Sequence, residues 1–474
     1  MHTQKTIAVC RAALFFLGLL PALYVFFAIQ YSVITVPFWD HTELIKWVAA
    51  SYDGKFEISS LWAPHNHTRP LVYRAVMLVN ARFTDWDLRS EYVYLYLAIL
   101  GVSACHFWAL RRIAKSGGPM VLPASLLVVS LLIFSPTGHN NHWWSMMFQF
   151  NAANLFIALG MLAVFLNPHR WTGNLIGALA CWLAAYTLTY GVIAFFAVIL
   201  TLQITRRNVL MPGRWTIFWI INFVVLIFMY LPGLPPTGGN THPGIASLVW
   251  FSLAYLGMPL AGIIWFPFKR QFDIPLSTVF SGLCGCLVVF STVLLIWHGK
   301  GRLRHSHPAA LILVGFTLFA VVSSLVTAWG RSAFDEYGIS NANSSRYTMF
   351  GVYLLLGQIY YLTAGFAEGW LGDTALARKS PKWNSALPAL AIALFVLLSG
   401  ITYIRATHVY VEAHEFNKIL RTAYLPSAKT TDLDKFIHPN PEFVVKLKKD
   451  LLRLRLGPYR NPEQCVESAP VVRK

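Results

Sequence analysis

Apolar runs long enough to cross a bilayer recur along most of the chain, and they constrain the fold more than any motif does. A helix needs about 20 mostly apolar residues to cross the hydrocarbon core. Such runs cover roughly residues 9–35, 92–112, 119–135, 148–166, 172–187, 190–205, 215–232, 275–297, 309–329, 346–366 and 386–405. Without water, each backbone N–H and C=O in such a run must bond inside its own segment, which demands helices. Composition agrees. Hydrophobic residues make up 56% of the 474 and charged residues 12%, against about 25% charged in soluble domains. Too few polar residues exist to coat soluble domains of this size. The sequence therefore predicts an all-α, polytopic transmembrane helical bundle of about 11 spans, with a helical outer loop after the first.

The formal net charge of +18 would suggest nucleic acid on a soluble protein. Here the basic residues fall in short clusters between apolar runs, as the positive-inside rule expects. The clusters are Arg111, Arg112 and Lys115; Arg170; Arg206, Arg207 and Arg214; Lys300, Arg302 and Arg304; and Arg378, Lys379 and Lys382. All share one side if the N-terminus is cytoplasmic. The apolar run 7–36 is too long for a signal-peptide core and reads as a retained first span. This describes a multi-pass membrane protein with its long loop and tail on the outer side.

Residues 246–268 break the parity. They are apolar enough to cross, but Gly257-Met258-Pro259 and Gly262 interrupt a helix. A re-entrant or membrane-lying hairpin, or a close pair of short helices, returns the chain to the outer side. Residues 1–405 then form the membrane domain, including the outer loop 37–91. Residues 406–474 form a small extracytoplasmic tail with an amphipathic helix over 440–456, whose basic face suits anionic lipid headgroups. The six cysteines show neither a disulfide framework nor a metal spacing.

The carboxylates are unevenly placed. From Tyr92 through Phe272 there is no Asp or Glu. Seven of the 20 acidic residues, namely Asp40, Glu43, Asp53, Glu57, Asp85, Asp87 and Glu91, lie in the first loop, and eight more lie in the tail. An ion-coupled transporter usually carries a carboxylate at mid-membrane depth. Here the polar chemistry is at the outer face.

The first loop opens Pro37-Phe38-Trp39-Asp40-His41-Thr42-Glu43, directly after the first span. A carboxylate at the membrane–water interface is partly desolvated, which suits a general base. The same spacing also reads as a helix cap, with Asp40 first and Glu43 at the capping-box position. Further on, His65, Asn66, His67 and Arg69 crowd between Trp62 and Pro70. His65-x-His67 raises the question of a metal, but no third ligand accompanies it, so no cofactor is read here and a divalent metal stays open as an alternative. Asn66-His67-Thr68 has the form of a glycosylation sequon. Arg69 offers the planar fork that matches phosphate. Two more polar constellations face the same side: Phe134-Ser135-Pro136 through Trp143-Trp144, with Gln149 and Asn151 beyond, and Gly330-Arg331 through Ser345-Arg346-Tyr347.

In their order these motifs resemble polytopic glycosyltransferases of the GT-C superfamily, specifically bacterial members that use polyprenyl-phosphate-linked sugars. The resemblance runs from the first span to about the eleventh. It rests on Phe38-Trp39-Asp40, His65-Asn66-x-x-Arg69, Phe134-Ser135-Pro136 with Gln149, and Gly330-Arg331 with Ser345-Arg346-Tyr347. The chain departs from the pattern at His67-Thr68, where relatives carry an acidic residue and a histidine. The resemblance implies an inverting enzyme that passes a sugar to a lipid, glycan or protein acceptor on the periplasmic face. Asp40 is then the catalytic base. Arg346, Arg331, Arg69 and Tyr347 bind the donor phosphate, while Trp39, Glu43, Trp62, His65, Asn66, His67 and Gln149 contact substrate. Implied partners are the lipid-linked donor, the acceptor and membrane lipids, without nucleic acid. Two other classes stay open: a transporter or flippase of lipid-linked glycans, and an O-antigen-type polymerase or ligase. The acid-free core argues against the first, and the early position of the motif-rich loop against the second.

Overall fold

The computed structural model describes residues 2–205, 211–235, 244–265, 274–331, 338–370, 383–424 and 434–460. Among these, no strand forms beyond an isolated bridge between His65 and Thr68. The chain is an all-α polytopic bundle. It opens with α1 (His2–Ser32), then the first loop with α2 (Ile45–Tyr52) and α3 (Leu71–Thr84). The bundle continues with α4 (Leu88–Ile113), α5 (Val121–Ile133), a short α6 (Asn140–Trp143), α7 (Phe148–Leu166), α8 (Trp171–Ala185), α9 (Tyr190–Ile204) and α10 (Arg214–Tyr230). It closes with α11 (Ile245–Trp265), α12 (Ile274–His298), a short α13 (Lys300–Arg304), α14 (Pro308–Arg331), α15 (Thr348–Ala367), α16 (Trp383–Ala423), α17 (Asp434–Ile437) and α18 (Pro441–Leu454).

Among the described residues, nine helices are long and apolar enough to cross a membrane, and α8, α9 and α10 are shorter apolar helices. Every run read as a span from the sequence holds one of these helices. The outward-facing residues explain why the bundle needs lipid. Phe16, Leu19 and Phe27 on α1, Leu283, Leu287 and Phe290 on α12, and Leu390, Leu394 and Leu397 on α16 are all exposed. In water these rows would be a large uncovered apolar surface; in hydrocarbon they are solvated.

The two ends of the bundle differ. At one end residues 33–87 pack, and we call it the loop end. Arg111 and Arg112 close α4 at the other, and Arg302 lies over the ring of Trp370 there. Of the basic clusters, Arg206, Arg207, Arg378, Lys379 and Lys382 lie outside the described residues.

The hairpin expected at 246–268 is corrected. Residues 246–265 lie in one continuous helix, α11, with Pro259 inside it, and 266–268 lie outside the described residues. The helix needs no break because α12 packs against it at backbone distance. A Cβ on Gly257 would sit 1.9 Å from the Ser281 carbonyl oxygen, and one on Gly285 would sit 1.9 Å from that of Leu253. Small residues that let helices touch are a common device for packing in lipid. The chain nevertheless leaves α10 and enters α12 at the loop end. Tyr230, ending α10, bonds to Arg69, and Ser277 and Thr278, opening α12, accept from Asn343 at 3.3 and 3.2 Å. The second half of α11 stays there too, with Tyr255 stacked on Tyr347 and the Ile263 carbonyl accepting from Thr402 at 2.8 Å. α10 thus ends, and α12 begins, at one and the same end of the bundle, as the spacing of the basic clusters requires.

The last span continues well past residue 405. Beyond it, α16 braces the exit of α1: the Asn417 side-chain oxygen accepts from the Thr35 N–H at 3.0 Å, and Tyr424 donates to the Pro37 carbonyl at 2.6 Å. The expected tail helix forms as α18, with Pro441 at its start and Asn440 capping the Phe443 N–H at 3.2 Å. Its apolar face of Val444, Leu447 and Leu451 is buried in one cluster with Phe38, Val48 and Trp86 of the loop. Arg453 pairs with Asp53 at 2.7 Å, and Arg460 with Asp87 at 2.9 Å. The tail thus covers the loop.

Candidate active site

The chain leaves α1 held on two sides. The Ile34 N–H donates to the Tyr92 hydroxyl at 2.8 Å, and that hydroxyl donates to the Trp143 carbonyl at 2.7 Å. With the Thr35 and Pro37 bonds to α16, these contacts bring a definite backbone to Phe38. Trp39 then turns left-handed, at φ 51°, a conformation bulky side chains adopt rarely. A 3₁₀ turn follows over Trp39–Leu44. Residues three apart eclipse in such a turn, so Asp40 and Glu43 emerge on one side. No side-chain cap bond starts it, and its N-cap is Phe38. The capping-box reading of Asp40 and Glu43 is therefore not realised. The Asp40 carboxylate is 48% exposed and free of structural duty.

His41, on the opposite side of the turn, is buried. Its Nε2 lies 3.2 Å from Oε2 of the buried Glu91, whose other oxygen accepts from the Trp86 indole at 3.2 Å. This pair anchors the turn under Asp40. The sequence signal was faint: one more acid in an acidic loop.

His65 reaches the same side as Asp40. Residues 65–68 close a tight turn, with His65 and Thr68 exchanging backbone bonds at 2.9 and 3.0 Å and Asn66 at φ 51°. His65 Nδ1 lies 3.4 Å from Oε2 of Glu43, and its Nε2 lies 4.0 Å from Oδ2 of Asp40. Asn66 Nδ2 lies 3.4 Å from His65 Nε2. The Glu43 carboxyl falls from 4.5 to about 2, first through its hydrogen bond to His65 and then by charge attraction to His65 and Lys46, against opposing burial.

Asp40, Glu43, His65 and Gln149 line one small cleft with Tyr73, Arg74, Trp47 and Met146. Arg74 was missed by the sequence reading. It is buried, its guanidinium 4.1 Å from the ring centre of Trp47, and it donates to the carbonyls of Leu61 and Ala63. Burial lowers it to about 10, so it stays cationic at neutral pH. The available signal was an arginine inside the otherwise apolar start of α3. Tyr73 is also buried; its hydroxyl lacks a partner among the described residues. Burial first, then the charges of Glu91 and Asp40, push that hydroxyl well above its usual range.

Other expected site residues are placed differently. Arg69 is buried, and its guanidinium is spent on backbone: Nε donates to the Tyr230 carbonyl at 2.7 Å, and the two terminal nitrogens donate to those of Trp62 and Pro232. It staples the loop to the end of α10. Trp62 is partly exposed beside Tyr186, with ring centres 5.4 Å apart. Trp39 is half exposed. His67 is exposed, and its carbonyl accepts from Thr189 at 3.0 Å.

Arg346 belongs to a second constellation at the same end. The Asn141 side-chain N–H donates to the carbonyls of Ser345 and Arg346, both at 3.3 Å. Asn141 is itself held, because Asn151 donates to its carbonyl at 2.9 Å. The half-buried Arg346 guanidinium lies 5.1 Å from the Tyr347 ring centre, and its Nε has no partner among the described residues. Tyr347 is buried against Tyr255, a packing position. Arg331, the last residue of α14, is exposed, and no described contact joins it to Arg346.

Residues 141–151 connect the two constellations. Asn141 holds Arg346, Trp144 packs on Phe38 with ring centres 5.0 Å apart, and Met146 and Gln149 line the Asp40 cleft. Among the described residues, no group of three or more His, Cys, Asp or Glu side chains is placed to hold a metal ion. Comparison with protein-family models, curated proteins and solved structures finds no match for this chain.

Proposed function

We propose that this chain is an inverting membrane glycosyltransferase, moving a sugar from a polyprenyl-phosphate donor to an acceptor at the periplasmic face of the bacterial inner membrane. The observation that carries the reading is one connected segment, 141–151, which lines the cleft of an unencumbered carboxylate and holds a half-buried arginine. The resemblance in motif order supports it.

In this reading the acceptor hydroxyl loses its proton to Asp40 as its oxygen attacks the anomeric carbon. The bond from that carbon to the phosphate oxygen breaks on the opposite face, so the configuration inverts, as in single-displacement glycoside chemistry. The leaving polyprenyl phosphate gains negative charge, and Arg346 meets it with its guanidinium, whose Nε has no partner among the described residues. His65, between Asp40 and Glu43, orients the base. Arg74 keeps a positive charge at the cleft. Arg69 leaves the phosphate set, since each of its three nitrogens already donates to a backbone carbonyl. Arg331 stays in it as an exposed cation at the same end.

The test is donor turnover by purified protein, with a radiolabelled polyprenyl-phosphate sugar in vesicles. Glycosyl transfer converts the donor to free polyprenyl phosphate, and Asp40→Asn stops it. Movement of intact donor across the bilayer without conversion would establish a transporter instead.

A further inference from the structure

At the end of the bundle opposite Asp40, a cavity of about 250 Å³ opens where α7 meets α8, α9 ends and α10 begins. His169, Thr205, Arg214, Trp215, Thr216 and Ser306 are among the residues that line it. Among the described residues, none that lines it is acidic.

The start of α10 faces this space. Its N-cap is Gly213, which has no side chain to cap with, and the first backbone bond there runs from Ile217 to Gly213 at 2.8 Å. The N–H groups of Arg214, Trp215 and Thr216 therefore precede the helix ladder, at the positive end of the helix dipole. A second observation is independent of the helix end. Trp215 is only 7% exposed, and its indole N–H has no partner among the described residues. Leaving a buried donor unmet is costly, so the site calls for an acceptor. Arg214 adds charge, its guanidinium lying 5.1 Å from the Trp215 ring centre.

Depth in the membrane narrows the source. Trp171 packs edge-on against Trp215 with ring centres 4.6 Å apart, yet it is 60% exposed. An exposed tryptophan beside basic residues at a helix end marks the headgroup level of a bilayer.

We infer that this cavity binds a phosphate group, supplied either by an anionic phospholipid headgroup or by free phosphate. The anion sits on the N–H groups opening α10, accepts from the Trp215 indole, and pairs with Arg214. Ser306 offers a hydroxyl from the opposite wall and His169 an imidazole, while the Thr205 hydroxyl donates to the Thr201 carbonyl at 2.8 Å and only closes the wall. The inference does not rest on the glycosyltransferase reading, because the site is at the other end of the molecule.

The experiment uses the full chain in two arms. One titrates detergent-solubilised protein with inorganic phosphate, reading tryptophan fluorescence. The other counts bound lipids by native mass spectrometry after release from nanodiscs of phosphatidylglycerol or phosphatidylcholine. Trp215→Phe removes the N–H but keeps most of the ring packing, and Arg214→Gln removes the charge. Each is expected to weaken phosphate or phosphatidylglycerol binding, by about fivefold for the indole and about tenfold or more for the arginine. Lys115→Gln, a charge loss at the same end, should leave both arms unchanged. Saturation by inorganic phosphate assigns a free-anion site, and selective retention of phosphatidylglycerol assigns a lipid site. Undiminished binding in both folded variants, or binding in neither arm by wild type, would overturn the inference.

Discussion

His65 Nδ1 stands 3.4 Å from the Glu43 carboxylate, joining two parts of the first loop that are 22 positions apart in the chain. The contact turns the 3₁₀ turn after α1 and the tight turn at 65–68 into one wall of the cleft. It also gives Glu43 and Asp40 unequal roles, because Glu43 is the closer partner of His65.

That inequality is open to titration. Glu43 falls from 4.5 to about 2 in the folded chain. A carboxyl lowered on folding stabilises the fold above its unfolded value, and the contribution fades as pH falls through the folded one. Thermal stability should decline between about pH 4.5 and about 2, and Glu43→Gln should flatten part of that decline. Parallel melting curves of wild type and variant across the window would refute the coupling.

Asp40→Asn isolates basicity from shape, since Asp40 makes no cap bond and its contact to His65 is 4.0 Å. Transfer should drop by about 10²–10⁴-fold, the usual range for losing a general base. The melting temperature should stay close to that of wild type. Wild-type turnover by the folded variant would move the base to another group of the cleft.

Arg69 should behave as a structural residue. Arg69→Gln leaves the carbonyls of Tyr230, Pro232 and Trp62 short of donors, at a cost of about 2–4 kcal/mol in stability. Arg69→Lys should recover only part of this, because an ammonium lacks the planar fork. A variant with unchanged melting but weakened donor binding would return Arg69 to the phosphate set.

Arg346→Ala should raise the donor KM by about tenfold or more, the worth of a charged hydrogen bond, while the protein still melts normally. Arg346→Lys should restore binding in part. Asn141→Ala should produce a milder form of the same defect, since Asn141 holds the Arg346 backbone. Donor affinity unchanged in all three would remove Arg346 from the site.

Reporter fusions after Lys115 and after Tyr459 should mark opposite sides of the membrane. The same side for both would break the count of crossings derived from the basic clusters.

Much of the fold was legible in the amino-acid order. A 20-residue apolar run has one inexpensive conformation in hydrocarbon, so each expected span contains a helix, and Asn440 and Pro441 announced α18. Residues 246–268 were misjudged because Gly257 and Pro259 weaken an isolated helix. Only the close approach of α12 shows that the glycine serves packing. The candidate site divides the same way. Asp40 was visible as the first acid after the first span, and local spacing could suggest His65 beside it. Arg69 and Arg74 could not be sorted from sequence. The carbonyls that occupy Arg69 come from Trp62 and, some 160 positions away, from Tyr230 and Pro232. Arg74 lines the cleft only because α3 packs beneath Asp40 and Glu43. Periodicity and apolar length act within a segment, and so the order of residues determines the helices. Which arginine keeps free donors depends on carbonyls delivered by distant segments, and that was decided by the tertiary structure alone.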